Sequence, residues 1–317
     1  MLANRFSTLR RWQRALASAA CAASLCGGGQ AAGLTVLMAD ESAPHVEFVR
    51  QLRAAQDADS RFDLVHLVAG DNGSEARGTG AAPAGLTMAV GMSAARTAIE
   101  RPGQDPLVLA MLSRLDYESL KGTPALRRPE RQIGVLLREP AMADQLALID
   151  AVLPAKRRLG VVATAESEPI VGELQRAGQG WDLQVEYASD AKSLAAVLRL
   201  LVSRSDALLV LPDKIGDSQA ATLAVLRAGA SAGLPVFGTS DGLVRSGGLA
   251  AAVSTPGQLA DQARSLGRKL AASAGTGGVR VEAATPATVR VNATVARGLG
   301  LRLPDERELT ARVGALR

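Results

Sequence analysis

The sequence predicts an α/β protein made of two consecutive sets of parallel strands with covering helices. Three observations predict it. Short apolar runs of strand length alternate with amphipathic stretches from residue 34 onward. The order strand-helix-strand-helix-strand runs through residues 34–112 and starts again at residue 132. Small or hydroxyl residues recur where strands give way to helices, in both halves.

In chain order, LTVLMA (34–39) reads as a strand, followed by a helix over 44–55 with Val46, Val49 and Leu52 at helical spacing. FDLVHLVAG (62–70) is a second strand, and DNGSEARGTGAAPAG (71–85) has the composition of a loop. LTMAVG (86–91) leads into a helix over 93–100, and PLVLAML (106–112) is the next strand. After a connecting segment come strand 132–137, helix 142–153 and strand 158–165. Helices over 168–177, 191–203 and 217–232 then alternate with strands 182–188, 206–212 and 234–240. A strand-like piece at 249–254, a helix over 256–273 and strands 279–285 and 288–292 complete the series. The expected division is a leader over 1–31, a first lobe over 32–125 and a second lobe over 126–275, with a crossover near 126–157. Residues 276–317 are expected to return toward the hinge or the first lobe.

The leader follows from residues 1–31. Arg5, Arg10, Arg11 and Arg14 precede the small apolar run ALASAACAASLC (15–26), and no acid interrupts them. A positive start, a short apolar middle and a small-residue exit read as a secretory signal peptide cut after Ala31. The apolar run falls short of the ~20 residues a membrane span needs. Arg10-Arg11 is followed by Trp-Gln-Arg, a poor match to a twin-arginine signal. Both cysteines, Cys21 and Cys26, fall in the leader, so no disulfide is expected in the rest. Their flanks fit a lipid-attachment site poorly, and no lipid anchor is expected. The whole chain carries +5, but without the four leader arginines 32 basic residues face 31 acidic ones. A near-neutral mature part gives no footprint for nucleic acid.

Catalytic patterns are scarce. His66 reads as a packed or sheet-face residue, His45 as a helix-start surface residue with a ligand contact as the lesser alternative, and neither has metal-ligand company. No Gly-x-Ser-x-Gly elbow, Walker loop or Gly-x-Gly-x-x-Gly after a strand is present. An exported α/β enzyme is therefore the weakest reading, and neither a cofactor nor a metal is expected. The strand-end residues carry more. Ser42, Ser93 and Ser113 follow strands of the first half, and Glu166, Asp213, Ser240 and Asp241 follow strands of the second. In parallel sheets ligands bind outside the carboxyl ends of the strands, where helix N-termini favour anions. Taken singly, each such residue reads first as a helix N-cap. Their recurrence in both halves points to a shared cleft. Aromatic residues beyond the leader are limited to Phe48, Phe62, Phe237, Tyr117, Tyr187 and Trp181, a poor supply for stacking on a sugar ring. Tyr117, just past strand 106–112, is the best placed of them, and a packed loop tyrosine is an equal reading of it.

Five segments in order carry a resemblance. They are AVGMSAARTAI (89–99), QLALIDAVLPAKRRLGVVAT (145–164), DALLVLPD (206–213), GLPVFGTSDGLVRSGGLAA (233–251) and VRVNATVARGLGLRLPDE (289–306). Together they resemble the solute-binding proteins of ABC transporters with the type I periplasmic binding fold, in the branch that includes tryptophan- and tyrosine-binding members. The resemblance implies two Rossmann-like lobes with parallel sheets joined by a hinge. It implies a periplasmic protein that captures a small molecule, an amino acid or a related polar compound, for an ABC permease in the inner membrane. By position it implies a cleft involving Ser42, Ser93, Asp213, Ser240 and Asp241. A monomer is expected. The alternative role is an exported sensor that reports its ligand to a receptor or kinase.

Overall fold

The computed structural model describes residues 33–55, 62–67, 85–127, 131–273, 277–285 and 288–315. The leader with its cysteines and the loop over 71–84 lie outside the described residues. The first sheet holds β1 (Leu34–Met38), β2 (Phe62–His66), β3 (Leu86–Val90), β4 (Leu107–Leu112), β5 (Gln132–Pro140) and β11 (Gly278–Ala284). Their order is β11-β5-β4-β3-β1-β2, and every pairing is parallel. The second sheet holds β6 (Arg158–Ala163), β7 (Asp182–Tyr187), β8 (Ala207–Val210), β9 (Val236–Gly238), β10 (Ala250–Val253) and β12 (Thr288–Val291). Its order is β12-β10-β9-β8-β6-β7, parallel except where β12 runs against β10. Apart from the last strand, the two sheets repeat one strand order.

Strand composition explains the layering. All six residues of β4 (LVLAML) are buried, as a central parallel strand covered on both faces requires. Edge strand β2 is only half-buried. On one face of the first sheet lie α1 (Ala43–Ala54) and α10 (Pro256–Ala272), through Phe48, Leu52, Leu259 and Leu266. On the other lie α2 (Met92–Glu100) and α3 (Arg114–Leu120), through Ala94, Ala98, Ile99 and Leu120. Each large apolar side chain buried this way contributes about 1.5–3 kcal/mol.

The second sheet is covered on one face by α4 (Met142–Val152), α5 (Glu168–Ala177), α11 (Ala293–Gly298) and α12 (Glu306–Ala315). Its other face carries α6 (Ala191–Arg204), α7 (Lys214–Asp217), α8 (Gln219–Ala232) and α9 (Asp241–Arg245). Gly233 ends α8 at φ +68, and the Leu234 amide closes the turn on the Gly229 carbonyl at 2.8 Å. That left-handed position suits glycine because it has no Cβ to clash.

The lobes are divided differently from the sequence expectation. The expected crossover within 126–157 falls at Pro140–Met142, so α4 lies on the second sheet, but β5, expected in the second lobe, pairs with β4 and stays in the first sheet. Helix α10 likewise packs on the first sheet, and β11 joins it beside β5. Of the final residues, β12 and the helices after it belong to the second lobe. The chain therefore passes between lobes three times, between Pro140 and Met142, between Val253 and Pro256, and between Ala284 and Thr288. The short α3, within the stretch the sequence marks as a connecting segment, supplies the crossover that keeps β5 parallel to β4.

Candidate functional site

A cavity of about 590 Å³ lies between the carboxyl ends of the two sheets. Asp40, Ser42, His45, Met111 and Arg138 line it from the first lobe, and Asp217, Thr239, Ser240, Asp241 and Arg290 from the second. Ser254, Thr255 and Pro256, on the second chain crossing, also line it. A side cavity of about 200 Å³ shares Asp40, His45, Met111 and Arg138 and adds Gly91, Ser93 and Asp116. It opens where β1 and β3 leave the first sheet in opposite directions, the switch point at which such sheets bind ligands.

Local backbone shapes this notch. Gly91 sits at φ 80, ψ 170 as the N-cap of α2, in a region open essentially to glycine. A Cβ there would come within 2.6 Å of His45 Cε1. No side chain caps α2, so its first amides and their positive dipole end are left for another acceptor. Met111 has φ 61, the one described non-glycine residue at positive φ, where β4 slips register against β5. Such bulges re-aim side chains beside binding sites. His45 is mostly buried, with Nδ1 3.3 Å from Asp40 Oδ2, while Asp40 Oδ1 accepts from the Ser42 amide at 2.9 Å.

Arg138 donates through Nε to Glu139 at 2.8 Å, and both Nη groups stay uncommitted among the described hydrogen bonds. Glu139 is buried and also accepts from the Arg114 amide at 3.2 Å. Burial pushes its carboxyl above the usual range, against the pull of Arg138. Across the cavity Asp217 accepts no described hydrogen bond, and its charge acts on Arg138 from the opposite lobe. Asp241 is shared between Arg245 and Arg290, whose Nε is 3.8 Å away.

The equivalent notch of the second lobe, between β6 and β8, is filled. Asp213 is fully buried and accepts from the amides of Ile215 at 2.8 Å and Gly216 at 3.2 Å. Its other oxygen takes the hydroxyl of buried Ser167, which lies 2.8 Å from Thr164 Oγ1. Burial raises the Asp213 carboxyl, and these hydrogen bonds oppose the shift.

The seven residues singled out from sequence therefore separate. Ser42, Ser240 and Asp241 line the main cavity and Ser93 the side cavity. Ser240 also caps α9, accepting from the Leu243 amide at 3.2 Å. Asp213 is committed to its own turn. Ser113 caps α3 in a box with Asp116, and Glu166 pairs with Lys214 at 2.6 Å, both away from the cavity linings. The sequence gives no signal for Arg138, Asp217, Met111 and Arg290, and it marks His45 first as a surface residue and only second as a ligand contact. His45 instead stands in the wall because Gly91 leaves room for its ring. His66 is half-exposed at the end of edge strand β2, 3.2 Å from Glu41. Tyr117 packs on the first-lobe core and lines neither cavity. Among the described residues no Phe, Tyr or Trp lines the main cavity. Among the described residues no group of three or more His, Cys, Asp or Glu could hold a metal, and no helix is long and apolar enough to cross a membrane.

The model of the family "ABC transporter substrate binding protein" matches residues 82–312. No curated protein matches the chain significantly. Solved structures share the fold. The ABC domain from Streptococcus pneumoniae in complex with L-Trp is 18% identical, with TM-score 0.53, over 86% of this chain and 96% of that one. The ligand-free, open form of a substrate binding protein with adhesive properties from Clostridium difficile is 17% identical, with TM-score 0.64, over 86% and 96%. A conserved domain protein from Vibrio cholerae is 18% identical, with TM-score 0.56, over 89% and 98%. The chain belongs to the ABC transporter substrate-binding protein family, with the type I periplasmic binding fold.

Proposed function

We propose that this family member acts in the periplasm, where its lobes close on a small polar molecule and deliver it to an ABC importer permease of the inner membrane. The observation that carries this reading is one cavity walled by both lobes, with the free Nη groups of Arg138 on one side and the uncommitted Asp217 on the other. An amino acid or related compound suits it. Its carboxylate would meet Arg138 and the amides of α2, and its ammonium Asp217, with Ser42, Ser93, Ser240 and Asp241 as further polar contacts. The structural neighbour from Streptococcus holds L-Trp, but among the described residues no Phe, Tyr or Trp lines this cavity to stack on an indole, so an aliphatic or polar side chain fits better. Export rests on the four arginines and apolar run of residues 1–31. The protein works as a monomer.

A ligand touching both lobes shifts them toward the closed state by its differential affinity. The test is a thermal-shift screen of the mature chain with amino acids, sugars, nucleosides and organic acids, followed by small-angle scattering with any hit. A ligand at 100 times its Kd adds about 2.7 kcal/mol. Stabilisation accompanied by a smaller radius of gyration supports capture by closure. A hit that binds without compaction would overturn it.

A further inference from the structure

We propose that Arg114 and Glu173 form the pivot on which the two lobes turn, acting as positioning residues that touch no ligand. Arg114 opens α3 in the first lobe, and Glu173 lies on α5 in the second. Their side chains meet at 2.6 Å and are mostly buried. Among the described ion pairs it is the one that joins the lobes; the others lie within one lobe.

Both partners are fastened to the first chain crossing. The Arg114 amide donates to Glu139 Oε2 at 3.2 Å, just before the crossing. The second oxygen of Glu173 accepts from the Met142 amide at 3.0 Å, just after it. One carboxylate thus caps the first orphan amide of α4 and holds a guanidinium from the other lobe. The surrounding packing, which includes Pro140, Met142 and Pro212, leaves only about 10 Å³ free.

Position decides between a latch and a pivot. A rotating body displaces each point in proportion to its distance from the axis. A pair anchored to Glu139 and Met142 sits beside the crossing peptide and moves little while the distant cavity walls swing. It therefore stays made in open and closed forms and confines the motion to one axis. The other two crossings are joined by uncharged hydrogen bonds, from the Ser254 hydroxyl to the Thr285 carbonyl and between Gln262 and the Thr285 amide at 2.9 Å.

The pivot rests on the closure proposed above, but its test needs no ligand. Spin labels on Arg96→Cys and Lys192→Cys, exposed positions on opposite lobes, report the interlobe distance in a chain carrying Cys21→Ser and Cys26→Ser. Arg114→Gln and Glu173→Gln should each broaden the ligand-free distance distribution. Arg114→Lys, and the charge swap Arg114→Glu with Glu173→Arg, should narrow it again. Asp150→Asn, which breaks the Arg157 pair within the second lobe, should leave the width unchanged. Unchanged widths in both Gln variants, or equal broadening in Asp150→Asn, overturn the pivot. Failure of the wild type to shift with a bound ligand would instead count against closure, so the two readings fail separately.

Discussion

The two lobes share a strand order, 2-1-3-4-5 in the first and its counterpart 7-6-8-9-10 in the second, yet they treat their switch points in opposite ways. In the first lobe the notch between β1 and β3 is a cavity of about 200 Å³ bordered by Gly91, Ser93, His45 and Arg138. In the second, the notch between β6 and β8 is closed by Asp213, Ser167 and Thr164, which satisfy one another and two backbone amides. One topology thus offers two ligand positions, and side chains decide which stays open. The open side has a helix start without a side-chain cap; the closed side has a buried carboxylate in its place.

The sharpest way to break this contrast is to unplug the second lobe. Asp213→Ala leaves three donors without their acceptor, at ~1–3 kcal/mol for each unsatisfied group, so a loss on the order of 3 kcal/mol is expected in denaturant unfolding. An unchanged midpoint would mean that the plug is not structural. Filling the first notch is the converse experiment. Gly91→Ala forces a glycine-only conformation and crowds His45, costing about 1–3 kcal/mol and weakening whichever ligand the screen yields. Unaltered affinity would place the ligand away from this notch.

Smaller effects sharpen the comparison. Arg138→Gln removes the cation of the first-lobe wall with its uncommitted Nη groups and should weaken an anionic or zwitterionic ligand by about tenfold or more, the worth of a charge-assisted hydrogen bond. Titration calorimetry on the variant checks this. Ser240→Ala removes the cap of α9 and should cost about 1 kcal/mol of stability.

The buried carboxyls add a pH signature. Glu139 and Asp213 both lie above their usual range because burial disfavours the anion. A raised acid favours the folded state while protonated, so its contribution is complete below the ordinary carboxylate pKa. It fades as the pH climbs through the raised value. The lowered carboxyls of Glu47, Asp190 and Asp206 act in the opposite sense, so the signature is read as a difference: between acid and neutral pH, Glu139→Gln should lose less melting temperature than the wild type. A variant with the wild-type slope would assign the effect elsewhere.

Much of the fold was legible because it is local. The run LVLAML announces a strand buried on both faces, and β1, β3, β8 and β10 fall where short apolar runs stop at polar or small residues. Ser240 and Asp241 were legible for the same reason, since a hydroxyl and an acid at a strand end mark both a cap and a cleft edge. Asp213 shows the limit of that logic. Its position matches a cleft residue, yet its side chain turns back onto the amides two and three residues ahead, a choice that the neighbouring Ser167 stabilises from a distant segment.

The sequence by itself determined the two α/β sets, the periodicities of their strands and helices, and the presence of polar residues at the strand ends. These depend on chain-neighbour spacing and on the burial of apolar stripes, which any local window contains. Only the tertiary structure decided that β5, α10 and β11 belong to the first lobe, that His45 and Arg138 face a cavity, and that Arg114 meets Glu173 59 positions away. Sheet membership and cleft facing are settled by pairings between distant segments, whose free energy no single segment carries.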